Sequence, residues 1–345
     1  MIYIWLTIFL LIFAIILNNS KRKNVFIFIS FSLMALIMGL RSVNVGVDTL
    51  TYYESFYLIA KTPWHVLLKS YYFEGLEIGY VILVKICTFF FNSYYSFQFV
   101  FSVIYCSFFA SFCKQLKHPY VGVFVFLGSA LFLESFNIAR QMLAVAMFAY
   151  AWSLFFKGKK RKSTVILLLS LLMHTTSLLA IIPFVVFFLF QKKFVVYLSP
   201  VIALLMYLLF PYFLDFSIDN ISHYANYYDN HKVVQEATGA KILWLIYATL
   251  SLIVIYNRTF DRQSKCAAFF TLVLVAFNFI GLKMNYVERL GLFYLPFVVL
   301  LFDSFGDLFN CVFLKRIFYM FVICFFTMYF ILSSQSLQYK YSFFF

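Results

Sequence analysis

Charge is what this chain lacks. Only 12% of its 345 residues are charged, and acids are the scarcer sign, at 13 against 27 bases. A soluble domain would carry roughly 25%. No stretch of soluble composition is long enough to fold separately, which excludes an ordinary water-soluble enzyme. Familiar catalytic signatures are missing as well. There is no P-loop, dinucleotide fingerprint, HExxH zinc site or GxSxG elbow. No DxD-type pair of carboxylates is present to hold a nucleotide-sugar metal ion. These gaps argue against ATP and nucleotide sugars as substrates. The six cysteines (Cys87, Cys106, Cys113, Cys266, Cys311 and Cys324) lie within or at the edge of apolar runs, without metal-ligand spacing. That placement predicts no disulfide framework. Internal repeats of the kind that mark many secondary transporters are absent, and so are low-complexity tracts.

What the chain does have is apolar length. Hydrophobic residues make up 64% of it, mostly in runs of about 15 to 20, and a bilayer core about 30 Å thick needs about 20 residues per helical crossing. The sequence therefore reads as one all-α, polytopic integral membrane domain over residues 1–345, with the lipid bilayer as its solvent. The first run, 1–17, has no basic start and no small-residue cleavage site, so it reads as a retained helix and not a signal peptide. The 50 phenylalanines are scattered through every run; they report burial in lipid and carry no chemistry. A net charge of +14 does not point to nucleic acid, because the bases stand in short clusters between apolar runs, as cytoplasmic retention signals do.

Those clusters set a topology. Lys21 to Lys23, Lys114 with Lys117, Lys157 through Lys162, Lys192 with Lys193, Arg258 to Lys265, and Lys315 with Arg316 should all face the cytoplasm. Satisfying every cluster predicts about ten crossings with both termini outside: 1–17, 25–40, 94–113, 119–134, 138–156, 194–213, 241–256, 266–281, 287–302 and 317–333. Two apolar segments, 77–91 and 163–190, then fit as re-entrant or interfacial elements. The second should turn near His174, Thr175 and Thr176; a single crossing by either segment would flip part of the chain. Long outer loops remain at 41–76 and 211–240, and residues 56–72 of the first suit an interfacial helix.

The residues able to do chemistry gather on the outer side of this topology. GLRSVNVGVDTLTYYESF leaves the second helix with Arg41, a planar fork suited to phosphate, and then Gly46, Asp48 and Tyr52. The plain alternative has Arg41 snorkelling to the interface and Asp48 capping the next helix. FNIARQMLAVAMFAY opens a helix with Arg140 and Gln141. A base at an outward helix start defies both the positive-inside tendency and the helix dipole. A bound anion would resolve that conflict, and so would an ion pair with Glu134. His174 is embedded in LLMHTTSLLAIIPF, either as a packing residue or as a functional group at membrane depth. Arg289 starts the ninth crossing in NYVERLGLFYLP, with Tyr294 following. Glu77, His223, Tyr224, Tyr227, Tyr228 and His231 are weaker candidates. Outward arginines, a carboxylate and a histidine beside lipid suit an amphiphile whose head is a diphosphate.

RSVNVGVDTLTYYESF, NIARQMLAVAMFAY, LLMHTTSLLAIIPF and ERLGLFYLP, in this order and spacing, resemble the EpsG-like branch of the Wzy-type polysaccharide polymerases across most of the chain. Arg41, Gly46, Asp48 and Tyr52 match the family's first motif. Arg140 and Gln141 match its second, His174 its third and Arg289 its last. The resemblance implies a GT-C-like glycosyltransferase of the bacterial cytoplasmic (inner) membrane, working without metal or cofactor. Such an enzyme joins undecaprenyl-pyrophosphate-linked oligosaccharide repeat units into O-antigen, capsule or exopolysaccharide, with its active site facing the periplasm or exterior and a chain-length regulator protein as a partner. On this reading Arg41, Arg140 and Arg289 bind the pyrophosphate. Asp48, with His174 as the next choice, accepts the acceptor's proton. Tyr52, Gln141, Glu77 and Tyr294 contact substrate. A transporter or flippase of the same lipid-linked oligosaccharide, or an O-antigen ligase, would use similar groups.

Overall fold

Lipid offers peptide groups no hydrogen-bond partners, so each apolar run must satisfy its own backbone, and it does so as helix. The computed structural model describes all residues except 18–21, 70–75, 181, 183–184, 187–192, 221–237 and 283–286. Among the described residues there is no strand, only an isolated bridge between Arg41 and Phe343. The chain divides into two compact units: Met1–Leu178 with Met320–Phe345, and Leu179–Tyr319.

The first unit contains α1 (Ile2–Ile16), α2 (Lys23–Gly39), α3 (Thr49–Lys61), α4 (Trp64–Lys69), α5 (Ile78–Phe90), α6 (Tyr94–Cys113), α7 (Pro119–Gly128), α8 (Ala139–Phe156) and α9 (Lys160–Met173). The second contains α10 (Lys193–Asn220), α11 (Thr238–Tyr256), α12 (Arg262–Gly281), α13 (Val287–Gly291) and α14 (Pro296–Phe305); α15 (Val312–Ser333) runs across the boundary between the two.

Every expected crossing has a helical counterpart, but not every one is a full span. The helices α6, α8, α11, α12 and α15 are long and apolar enough to cross a membrane; a sixth span results if the pair 287–294 and 296–308, bent by 46°, counts as one. The bend falls at Pro296, whose ring clashes with the preceding turn and which offers no amide donor. The remaining apolar helices are shorter. The 119–134 run, for example, is helical only to Gly128 and then turns irregularly into a single 3-10 turn, Glu134–Phe136. Of the two anomalous segments, 77–91 folds as α5, whose 13 residues reach only about 20 Å. In 163–190, α9 stops at His174 and a 3-10 turn follows over Thr175–Ala180. The break falls where polar residues interrupt the apolar run.

One buried helix organises each unit. α8 has 78% of its span buried, and its small residues Ala144, Ala146, Ala149 and Ala151 are fully enclosed. Small side chains let helix backbones approach closely, as interhelical packing in lipid requires. In the second unit α12, also 78% buried, packs against α10, α11 and α14. Its N-terminus is capped by Asp261, which accepts from the Ser264 amide at 2.8 Å. By contrast α15 is only 22% buried and turns Phe313, Met320, Phe321 and Met328 outward, a surface for lipid.

The link from α2 to α3 closes the first unit. Gly46 takes a positive φ of 98°, and a Cβ there would sit 2.5 Å from the Phe136 carbonyl oxygen. The Thr49 hydroxyl is shared between the carbonyls of Val45 (2.7 Å) and Phe136 (3.1 Å). Asn137 accepts from the Val47 amide at 2.9 Å and donates to the Tyr339 hydroxyl at 2.8 Å, while Tyr339 donates to Glu134 at 3.2 Å. The C-terminal segment completes the clamp: the Ser42 and Gly46 amides donate to the Ser342 and Gln338 carbonyls, both at 2.8 Å.

Gly158 supplies an internal control, with φ of 72° and nothing within 4 Å of its would-be Cβ. Gly158→Ala should cost only the left-handed backbone penalty of about 1–2 kcal/mol. Gly46→Ala should cost clearly more, because a clash adds to it. Thermal unfolding of both purified variants checks this; equal destabilisation would contradict the packing described.

Candidate active site

Three polar residues from distant parts of the sequence converge where α5, α8 and α9 meet in the first unit. Glu77 immediately precedes α5, Arg140 sits in the first turn of α8, and His174 ends α9 in an extended conformation. One carboxylate oxygen of Glu77 accepts from Arg140 Nη1, and the other bonds to His174 Nδ1. The approach depends on Gly79. A Cβ at that position would lie 2.5 Å from the Leu172 carbonyl oxygen, so only glycine lets the start of α5 touch the end of α9.

The cluster is sheltered but accessible, with side-chain exposures of 20% for Arg140, 11% for Glu77 and 21% for His174. Two phenol rings pack against the guanidinium, Tyr52 at 6.0 Å and Tyr80 at 5.8 Å from its central carbon, a cation–π arrangement. Burial pushes the Glu77 carboxyl pKa up, but the His174 hydrogen bond and the Arg140 charge outweigh it and leave it below its ordinary value. Glu77 is therefore ionised at neutral pH. With an anionic partner at Nδ1, the imidazole carries its proton there and keeps Nε2 as the acceptor.

Arg41 is placed differently. It is 2% exposed, its Nη1 donates to the Met38 carbonyl at 2.5 Å, and its guanidinium lies 4.7 Å over the Phe136 ring. Gln98 holds the Arg41 carbonyl at 2.8 Å. It is enclosed, and does not snorkel. Asp48 occupies the N-cap position of α3 yet makes no side-chain capping bond, so helix capping does not explain it. It lies close enough to Tyr52 for its charge to act on that phenol.

The structure thus brings together Tyr52, Glu77, Arg140 and His174, with Asp48 one turn from Tyr52. Arg140 pairs with Glu77, whereas Glu134 accepts from Tyr339. Gln141 is buried in α8. Tyr294, in the second unit, is buried between the rings of Phe270 and Phe277 and donates to the Leu179 carbonyl at 3.4 Å. Arg289 is half-buried on the short helix α13. His223, Tyr224, Tyr227, Tyr228 and His231 lie outside the described residues. Reasoning from sequence passed over Gly79, Tyr80 and Asn137. The first two follow Glu77 in the run EIGY, and Asn137 stands three positions before Arg140. Among the described residues no group of three His, Cys, Asp or Glu side chains is arranged to hold a metal ion.

The family model described as EpsG family matches residues 24–344, nearly the whole chain. No curated protein and no solved structure gives a significant match.

The depressed Glu77 pKa makes a pH prediction. A carboxylate whose folded value lies below its unfolded value, near 4.3, stabilises fully above that pH and loses the contribution as pH falls through the folded value. Wild-type protein should therefore lose stability on acidification below about pH 4.3 in part through Glu77, and Glu77→Gln should lack that part. Superimposable acid-unfolding profiles for the two proteins would refute it.

Proposed function

The chain belongs to the EpsG family, a Wzy-like polymerase family, and from that premise we propose that the Arg140–Glu77–His174 cluster is the polymerising centre. Membership itself implies an exopolysaccharide or O-antigen polymerase of glycosyltransferase type in a multi-pass membrane protein. The finer reading is ours. The substrate is an oligosaccharide repeat unit carried on a polyprenyl pyrophosphate such as undecaprenyl pyrophosphate. The reaction takes place on the outer face of the cytoplasmic membrane, a sidedness that the basic clusters support.

In this reading a terminal hydroxyl of one repeat unit attacks the anomeric carbon of another chain's first sugar. The bond from that carbon to the pyrophosphate oxygen breaks, and the oxygen keeps the electron pair. Arg140 stabilises the departing charge with a preorganised fork. His174 Nε2 accepts the hydroxyl proton, and Glu77 holds the imidazole by Nδ1 as the carboxylate does in other base–orienter pairs. Asp48 was the first expectation for the base. The bond from Glu77 moves that assignment to His174 and leaves Asp48 to contact the acceptor beside Tyr52. Arg289 is proposed as a further pyrophosphate ligand on its residue type and motif alone. The observation that carries the proposal is a single carboxylate engaging both a guanidinium and an imidazole at a partly open position.

Arg140→Ala should reduce polymer formation by about 100-fold or more while single-unit decoration of the cell surface and protein abundance persist. Arg140→Lys should also be poor, because a point charge does not reproduce the fork. Gel ladders of surface polysaccharide report both. A wild-type ladder from Arg140→Ala would refute the assignment. His174→Ala should fall by about 100-fold or more, and Asp48→Asn by less; the reverse order would return the base to Asp48. Purified protein given lipid-linked repeat units in detergent separates an enzyme from a carrier, since detergent has no second side to receive cargo.

A further inference from the structure

A second feature of the first unit lies apart from the three-residue cluster. A cavity of about 640 Å³ opens between the first turn of α1, the end of α15 and the C-terminal segment. Its walls include Tyr3, Trp5, Leu337, Tyr339, Lys340 and Tyr341. The Tyr3 side chain is 4% exposed, and its hydroxyl is buried without a hydrogen-bond partner. Behind it stands Arg41, whose charge reaches both Tyr3 and Tyr341. Among the described residues no carboxylate pairs with Arg41, and its Nε is buried without a partner. A buried guanidinium with no counter-charge costs several kcal/mol, so the site calls for an anion. The cavity's outer wall is apolar, with Trp5 52% and Leu337 90% exposed, while the Lys340 amine stands at the rim.

We propose that this cavity binds the phosphate head of an anionic lipid. The Tyr3 hydroxyl would donate to a phosphate oxygen, Lys340 would pair at the rim, and the head's charge would offset Arg41. A neutral sugar would leave Arg41 uncompensated, and a free inorganic anion would leave the exposed apolar wall without a partner. A phosphate carried on a hydrocarbon tail satisfies both. Because Tyr339 forms part of the wall and bonds through Asn137 to the Val47 amide, an occupant would also steady the loop that carries Asp48.

The test is lipid binding to delipidated full-length protein, read by native mass spectrometry. The probes are phosphatidylglycerol, a polyprenyl phosphate and, as zwitterionic control, phosphatidylcholine. At least one anionic probe should bind about tenfold tighter than phosphatidylcholine, a difference of about 1.4 kcal/mol. Tighter binding of phosphatidylglycerol identifies the bulk bilayer as the source; tighter binding of the polyprenyl phosphate identifies the carrier lipid. Tyr3→Phe combined with Lys340→Glu should abolish the preference. Equal binding of all three probes by wild-type protein overturns the proposal without recourse to any variant, as does an unchanged preference in the double variant. Polymer formation is not the readout, so failure here leaves the polymerase assignment untouched, and the reverse also holds.

Discussion

A carboxylate at the edge of an apolar bundle is costly to strip of water, and Glu77 bears that cost only because two partners share it. Arg140 takes one oxygen and His174 the other. Removing either would leave a partly buried charge, and breaking such a pair typically costs about 3–5 kcal/mol when burial is complete. The contact therefore does structural and chemical work together. It ties the starts of α5 and α8 to the end of α9, and it sets the tautomer of the imidazole and the heading of the guanidinium. The tie in turn depends on a missing side chain at Gly79, since any Cβ there would meet the Leu172 carbonyl.

The first-motif loop is held by the same logic with neutral groups. Irregular backbone at membrane depth survives only where protein satisfies it. Here the partners come from far along the chain: Asn137 for the Val47 amide, Gln338 for the Gly46 amide and Ser342 for the Ser42 amide. Tyr339 joins the clamp through Asn137 and Glu134. Motif residues that look like ligands on paper thereby divide into two kinds. Arg140 keeps a fifth of its side chain open. Arg41 is sealed under the loop against Phe136, where it sets the local potential.

The abundance of phenylalanine follows from the same solvent. Where a helix is enclosed, as α8 and α12 are, small and aromatic side chains fill space against neighbours. Where it faces out, as α15 does, the large apolar side chains meet lipid and need no protein partner. Hydrophobic content therefore separates membrane from water but does not separate inside from outside within the bundle. That is why composition predicted the class of fold yet did not single out which helix lies at each unit's centre.

Composition and the spacing of apolar runs, by themselves, determined an all-helical membrane protein and the locations of its helices, because lipid permits no other way to satisfy the backbone. The short motifs around Asp48, Arg140 and His174 were also legible, since a polar side chain in an apolar run stands out wherever it occurs. Only tertiary structure decided who meets whom. Glu77 looked minor because its partners lie 63 and 97 positions away, a pairing that no local pattern encodes. Glu134 looked the natural partner for Arg140 through nearness in sequence, yet it faces Tyr339. Helix ends, glycine contacts and long-range hydrogen bonds set those choices, and they exist only once the chain has packed.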